Sequence, residues 1–371
     1  MVKLKCGLEI HAYLVTNEKL FCRCKASRER GLKANTLICP TCTGQLGAKP
    51  MAPNVNAIEK AVQIALMLGC KINTNLPWMR KHYDWPDLPK GYQNTMSGPH
   101  AVPLGVNGKF ENIRIESMHI EEDPAAWDPK TGAVDYNRSG LPLVEIVTAP
   151  EFKTADEVYI WVNKLVHALS YLKAVDTNAG VKADVNVSLT EDDCKQKTER
   201  VEIKNITSID AMKSAILFEF ERQSKEGSVR ETRRFDEAKG VTMRMRGKEQ
   251  ADDYRFIVDP DLRSVILSEK FILEQKKLVP ELPSVKLDKL IKKYKIGEKD
   301  ASVLAKDIDI VLFFENVSKH IDGKFALPWI TVELLRVLNY NKKNLADVSI
   351  SVEHFVKLLK MVEHEKITEL Q

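Results

Sequence analysis

Four short segments of this chain alternate apolar residues with ionisable ones. Glu9 and His11 flank Ile10; Lys182, Asp184, Asn186 and Ser188 interleave with Val181, Ala183, Val185 and Val187. Glu202 and Lys204 interleave with Val201 and Ile203, and Thr242, Arg244 and Arg246 interleave with Val241, Met243 and Met245. Residues two apart on a β-strand share a face, so each segment predicts a strand with one apolar and one polar face. The polar faces carry carboxylates, a histidine and cations. A fifth segment, Met118-His119-Ile120-Glu121-Glu122-Asp123, adds more of the same. Strict alternation puts His119, Glu121 and Asp123 on one face and Glu122 on the other, unless a bulge intervenes. Carboxylate and imidazole donors suit Mg²⁺ or Mn²⁺, and several carboxylates gathered without a cation repel one another. Arg138, Lys204, Arg244, Arg246 and Arg255 lie in or beside these segments. Phosphoryl chemistry needs such positive charge beside a metal. Any one of these residues alone reads as a solvated surface group; together, on interleaved strands, they predict a metal-and-phosphate site built on a sheet.

The cysteines carry a second signal. Cys22-x-Cys24 is followed, after fourteen intervening residues, by Cys39-Pro-Thr-Cys42. Two close pairs flanking a loop fit a tetrahedral zinc site with four thiolates and no open position, so a structural rather than catalytic ion is expected. Such a site would pin the loop Ser27–Thr36, with Arg28, Arg30 and Lys33. Cys6, Cys70 and Cys194 stand singly and read as small core or surface residues. The stretch from Arg80 to Gln93 is dense in aromatics, cations and prolines, a composition suited to a nucleotide base or unpaired RNA, or to a rigid surface loop. There is no Gly-x₄-Gly-Lys-[Ser/Thr] loop and no Gly-x-Gly-x-x-Gly fingerprint, so any ATP would lie on a sheet. Neither an adjacent serine pair nor a reactive-cysteine signature offers amidase chemistry.

These groups need a scaffold. At 371 residues the chain exceeds one ordinary domain, and 44% hydrophobic with 29% charged residues describes an ordinary globular composition. A net charge of +4 permits a polyanionic partner without demanding one. No apolar run approaches the roughly 18 residues of a membrane span, and the N-terminal segment enters a strand pattern at once, so a cytoplasmic location is expected. Helical periodicity marks about 55–69, a segment after Thr154-x-x-Glu157, and about 209–223; strands are expected at 181–189, 200–206 and around 240–257. At Val279-Pro280-Glu281-Leu282-Pro283 the pattern turns to short amphipathic helices, one of them loaded with Lys286, Lys289, Lys292, Lys293 and Lys295. The expected organisation is therefore a sheet domain over 1–278, with the cysteine element at 22–42, and a helical domain over 279–371.

Taken together, the segments GLEIH (7–11), KLFCRC (19–24), ICPTC (38–42), RKHYDWPDLPKGYQ (80–93), HIEED (119–123), DYNRSGLPLVEIVTAPE (135–151), DVNVS (184–188), VEIKNITS (201–208), ETRRFDEAKGVTMRMRGKEQADDYR (231–255) and PDL (260–262) resemble the B subunit of the tRNA-dependent amidotransferase. The resemblance spans nearly all of 1–283, in order. It implies an α+β fold: a glutamine-synthetase-like catalytic sheet domain, or cradle, followed by a small all-α domain and a tRNA-binding tail. It implies zinc on Cys22, Cys24, Cys39 and Cys42, and magnesium and nucleotide at Glu9, His11, Glu121 and Glu122. Arg138, Asp184, Glu202, Lys204, Arg244 and Arg246 are expected to line the nucleotide; of these Asp184, Glu202 and Lys204, like Glu145 and Asn186, are added by alternation and not by the resemblance. The implied reaction is ATP-dependent amidation of mischarged Glu-tRNA(Gln) or Asp-tRNA(Asn) through an acyl phosphate. Ammonia would come from a partner amidase (A) subunit, with a small C subunit completing the assembly. Lys182 stands where arginine is usual in bacterial members and Thr207 where asparagine is common, while His82 and Asp84-Trp85 look archaeal. The chain is expected to stop inside the helical domain, without the tail. Competing readings are the archaeal Glu-specific E subunit, which usually carries a large inserted domain, a non-catalytic RNA-binding protein with a zinc knuckle, and an ATP-dependent ligase for a free amino acid.

Overall fold

The computed structural model describes residues 2–29, 31–176, 181–191, 197–247 and 254–368. The chain divides into two compact units, Met1–Val279 and Pro280–Gln371. The first is built on one large sheet, and its main path uses ten strands. They are β1 (Lys3–Tyr13), β2 (Met79–His82), β3 (Tyr92–Thr95), β4 (Ile113–Glu122), β5 (Pro142–Thr148), β6 (Lys182–Thr190), β7 (Val201–Ile206), β8 (Glu231–Asp236), β9 (Val241–Gly247) and β10 (Arg255–Val258). Their spatial order is β9-β8-β7-β6-β1-β5-β4-β3-β2-β10, and Lys71–Ile72 and Gly105–Phe110 extend the sheet beside β4. Neighbours along this path are antiparallel except β7 and β8, which are parallel. A parallel pair needs a long crossover, and the helix α3 (Ile209–Glu226) supplies it. The segment expected as strand around 240–257 becomes β9 and β10, which stand at opposite ends of the path.

Period-two alternation decides what each face meets. On β1 the residues Leu4, Cys6, Leu8, Ile10 and Ala12 are buried, as are Ala183, Val185, Val187 and Leu189 on β6 and Val201 and Ile203 on β7. The helices α2 (Ala155–Tyr171) and α3 contribute Val158, Trp161, Leu165, Leu169, Met212 and Ile216 to the same apolar layer. Trp161 packs edge-on against Phe110 and Phe152, and its indole N–H donates 3.0 Å to the Phe110 carbonyl, so burial leaves no orphaned donor. Thr154 caps α2 by accepting from the Glu157 amide, while the Glu157 carboxylate turns to the Lys153 amide instead of closing a full capping box. Two further helices, α1 (Val55–Met67) and α4 (Glu269–Leu278), complete the unit.

The second unit is helical: α5 (Pro283–Tyr294), α6 (Glu298–Leu304), α7 (Ile308–Val317), α8 (Gly323–Pro328), α9 (Leu335–Tyr340) and α10 (Val352–Glu363). Pro283 opens α5, where its missing N–H costs nothing. Leu290, Leu304, Val311, Phe314, Val317, Ile330 and Leu359 form its core. The chain is thus α+β, a large mixed sheet followed by a helical region.

One buried ionic cluster ties α3 to the far strands. Glu219, wholly buried, receives Arg222 at 2.9 Å and Arg233 at 3.2 Å, together with the Thr242 hydroxyl. Burial pushes this carboxyl's pKa up, but those donors outweigh it and hold the value below 4.5. Glu219→Gln should therefore cost about 3 kcal/mol of unfolding free energy at neutral pH, because two guanidiniums each lose one of their charge partners. A depressed carboxylate stabilises the fold above its unfolded value, and that contribution is lost as pH falls through the folded one. Urea titrations of both proteins should show the gap narrowing in acid below pH 4.5; an acid-insensitive gap would mean the ionic contribution is negligible.

Candidate active site

Antiparallel register aligns the polar side chains in rows across the face opposite the apolar layer. Glu9 pairs with Asp184 on one side and Val147 on the other. One step along β1, His11 pairs with Lys182 and Glu145, and Glu145 in turn with His119. A further step places Tyr13 opposite Leu143, which faces Glu121. Successive rows lie about 7 Å apart, two residues of extended strand.

Two groups of potential metal ligands result. His11, Glu121 and Glu145 offer ligand atoms all within 4.8 Å of one another, and so do Glu9, Asp184 and Glu202. In the first, Glu145 Oε2 is 3.3 Å from His11 Nε2 and 3.4 Å from His119 Nε2, and Glu121 Oε1 is 2.9 Å from His119 Nε2. Glu121 is fixed from the other side by Gln93 at 2.7 Å and by Thr95 at 3.0 Å. Burial disfavours charge on His11, yet the Glu145 carboxylate lifts its pKa to about 9; likewise His119 rises to about 10 against its burial, chiefly through Glu145. Glu145 itself, despite burial, is held well below the usual carboxylate range by the two imidazoles.

In the second group Glu9 is pushed upward by burial and then by Glu145, Glu202 and Asp184. Lys204 stands 3.0 Å from Asp184 and 3.4 Å from Glu202, one cation among three carboxylates. Asn186 donates 3.0 Å to Glu9, while its own Oδ1 is buried with no hydrogen-bond partner. Excess negative charge and an orphaned carbonyl oxygen are what an oxygen-coordinated Mg²⁺ would correct, so the residues fit the ion. A cavity of about 420 Å³ opens beside Glu9 and Asn186, with Arg200 and Arg230 on its wall.

The structure sorts the sequence-derived residues. Glu9, His11, Glu121, Asp184, Glu202 and Lys204 share this face. Glu122 lies apart from both groups: its carboxylate meets Lys90 and accepts 2.9 Å from the Asn94 amide. In its place stands Glu145, a residue that alternation alone supplies. Arg138 is consumed by Asp123 at 3.3 Å and by the carbonyls of Pro124 and Ala125. Arg244 bonds Glu231 at 3.0 Å, and Glu231 also holds Arg233 at 2.8 Å, so Arg244 joins the ionic cluster around α3 rather than the two ligand groups. A shift of register between Thr232 and Arg233 breaks the simple alternation there. The side chain of Arg246, like Arg30 and Cys194, lies outside the described residues. The 80–93 stretch is tied to other parts of the sheet unit: Arg80 binds Asp259 and Asp261, both at 2.8 Å, Trp85 packs on Trp127, and Tyr83 on Tyr254.

Cys22, Cys24, Cys39 and Cys42 place their sulfurs within 4.8 Å of one another, with 3.8 Å between Cys39 and Cys42. Tetrahedral zinc with bonds of about 2.3 Å requires sulfurs about 3.8 Å apart. The Cys39 amide donates 3.2 Å to the Cys42 sulfur, a bond that favours thiolate there. The four therefore fit structural zinc. Their loop is clasped to the sheet unit by Asn137, which accepts from the Thr36 and Leu37 amides at 2.9 and 2.8 Å.

Because His11 holds a proton up to about pH 9 in the metal-free protein, a cation must displace it. Mg²⁺ or Mn²⁺ affinity should rise as pH climbs from about 7 to 9, with protons released on binding. Calorimetry in two buffers of different ionisation enthalpy measures that release; identical heats in both would exclude His11 as a ligand.

Residues 4–273 match the family described as the GatB/GatE catalytic domain, and residues 312–371 match the GatB domain. Among relatives, the B subunit of the aspartyl/glutamyl-tRNA(Asn/Gln) amidotransferase of Methanocaldococcus jannaschii is 41% identical over 99% of this chain and 79% of its own length. The B subunits of the same enzyme from Methanobrevibacter smithii and Methanothermobacter thermautotrophicus are 43% and 42% identical over 98% of this chain and 80% of theirs. With a catalytic-domain match across nearly all of the sheet unit and relatives of this identity over nearly its full length, the chain belongs to the family of amidotransferase B subunits.

Proposed function

We propose that this chain catalyses the ATP-dependent amidation of Glu attached to tRNA(Gln), Asp attached to tRNA(Asn), or both. The observation that carries the reading is the pair of ligand groups, His11–Glu121–Glu145 and Glu9–Asp184–Glu202, on adjacent rows of one sheet face. Two cation positions so close suit a reaction that gathers a polyphosphate and a carboxylate, each of which repels the other. Bound Mg²⁺ would supply neutralisation of the phosphate oxygens. The chain's own residues supply the rest: Lys204 adds a fixed positive charge, Thr95 and Gln93 orient Glu121, and Asn186 orients Glu9.

In this scheme the side-chain carboxylate of the attached amino acid attacks the γ-phosphate of ATP. A new carbon-bound oxygen–phosphorus bond forms as the bond to ADP breaks. Ammonia then attacks the acyl carbon and expels phosphate, and the proton lost from nitrogen passes to a carboxylate of the same face. Ammonia is supplied by a partner amidase (A) subunit, since the sequence has no amidase signature of its own, and a small C subunit completes the assembly. The setting is cytoplasmic; among the described residues no helix is long and apolar enough to cross a membrane. The catalytic work belongs to the sheet unit, with zinc on its four cysteines as a structural staple. The relatives' own naming as B subunits, and the match of 312–371 to the GatB domain, favour this over the E-subunit reading.

The test is an amidation assay with both mischarged tRNAs, ATP, Mg²⁺ and free ammonium. Glu121→Ala and Glu145→Gln should each lower kcat about a hundredfold or more. Wild-type turnover by Glu121→Ala would sink the site assignment, and turnover of free glutamate or aspartate without tRNA would sink the substrate.

A further inference from the structure

The loop between the two cysteine pairs sends one residue back onto the catalytic face. The Arg28 guanidinium lies over the Tyr13 ring, 3.4 Å from its centroid. Tyr13 follows His11 by two residues on β1 and so shares its face. The Tyr13 hydroxyl donates 2.7 Å to Asp123, and Arg138 closes on the same carboxylate at 3.3 Å. Asp123 is therefore satisfied by those two, and Arg28 is left over. Its Nη1 is buried without any hydrogen-bond partner, and among the described residues no carboxylate pairs with it. A guanidinium donor left unpaired in a buried position is costly, and residues of this kind are where a missing ligand is expected.

Lys182 is the second unused cation. It is the register partner of His11, hence one row from Tyr13 on the same face, and among the described residues it makes no ion pair. Arg138, Arg28 and Lys182 all lie near enough to Asp123 to act on it electrostatically, so cations outnumber the one carboxylate there. Three cations thus surround that one carboxylate at the Tyr13 end of the His11–Glu121–Glu145 group. A surplus of fixed, partly desolvated positive charge beside a metal group selects phosphate oxygens, and an arginine fork is suited to them.

We propose that Arg28 and Lys182 form a binding site for phosphate oxygens at the Tyr13 end of the catalytic face, and that the four-cysteine element positions Arg28 for it. The site rests on the amidation reading for its purpose, since that reaction brings two sources of phosphate oxygen to this face: the nucleotide and the terminal phosphodiesters of the tRNA. The zinc element then acts on substrate binding as well as on folding. Arg28 follows Cys24 by four residues, and beyond it the loop is anchored by Asn137 at Thr36 and Leu37. Losing the metal frees one end of a short arm whose other end stays clasped.

The experiment measures equilibrium binding of ATP·Mg²⁺ and, separately, of uncharged tRNA to the assembled complex carrying Arg28→Ala, Arg28→Lys or Lys182→Ala. Lys25→Ala, which removes an exposed cation of the same loop, controls for net charge. Zinc content and melting temperature confirm that each variant is folded. Arg28→Ala and Lys182→Ala should each weaken one ligand about tenfold or more, Arg28→Lys less, and Lys25→Ala not at all. Weakened ATP assigns the site to the nucleotide; weakened tRNA assigns it to the acceptor phosphodiesters. Unchanged affinities for both ligands in zinc-replete, folded Arg28→Ala overturn the site. Zinc-stripped wild type should bind as poorly as Arg28→Ala, and zinc removal from Arg28→Ala should add nothing; a stripped wild type with full affinity overturns the positioning role. Because binding is read apart from turnover, a wild type that binds both ligands but amidates neither tRNA refutes the amidation reading alone.

Discussion

Like charges held a few ångströms apart govern this molecule. Glu9, Glu121, Glu145, Asp184 and Glu202 crowd one face of a single sheet, and nothing in the backbone relieves them. Partial relief comes from within: His11 and His119 take up protons around Glu145, and Lys204 bridges Asp184 and Glu202. What remains is a surplus of negative charge that a divalent cation would offset. The arrangement persists because the opposite face is an ordinary apolar layer closed by two helices, which holds the strands in register whatever the polar face contains. One side of the sheet stabilises the fold, so that unfavourable charge can be kept on the other.

The alternation that reveals this face is legible because period two is the one property of a strand that survives without knowing its neighbours. Val185 and Asp184 differ in environment for the same reason that they are adjacent. What alternation does not contain is register. Glu145 takes its position from facing His11 across one strand boundary and His119 across the other, and no local pattern says which histidines an acid will meet. Glu122 shows the converse: next to Glu121 in the chain, it points away, as strict period two requires, and is taken by Lys90. Arg244 escapes the alternation because the ladder slips between Thr232 and Arg233, a one-residue event invisible in composition. Arg28 carries no periodic signal at all, since it reaches the sheet from the loop between the two cysteine pairs.

The cysteine element divides its work differently. Its spacing is readable because tetrahedral thiolate geometry tolerates few arrangements of close pairs. Yet its structural weight is shared with plain hydrogen bonds, the Asn137 carbonyl oxygen holding two successive amides at the end of the same loop. The cysteine cluster at one end and the amide clasp at the other bound a short arm over Tyr13. A ring face beneath a guanidinium adds cation–π attraction while leaving the guanidinium edge open, so stacking can hold Arg28 without using the hydrogen bonds it would offer a ligand.

The central position of β1 has a consequence for how the protein is made. Both of its partners, β5 and β6, lie well over a hundred residues further along the chain. During synthesis the strand bearing Glu9 and His11 is complete long before either neighbour exists, and its apolar side and both hydrogen-bonding edges wait exposed. Contacts so distant in sequence close slowly, and an unpaired strand edge is an invitation to aggregation. Lys3, Lys5, Glu9 and His11, the polar side chains of that strand, are in that interval the groups that keep it in water.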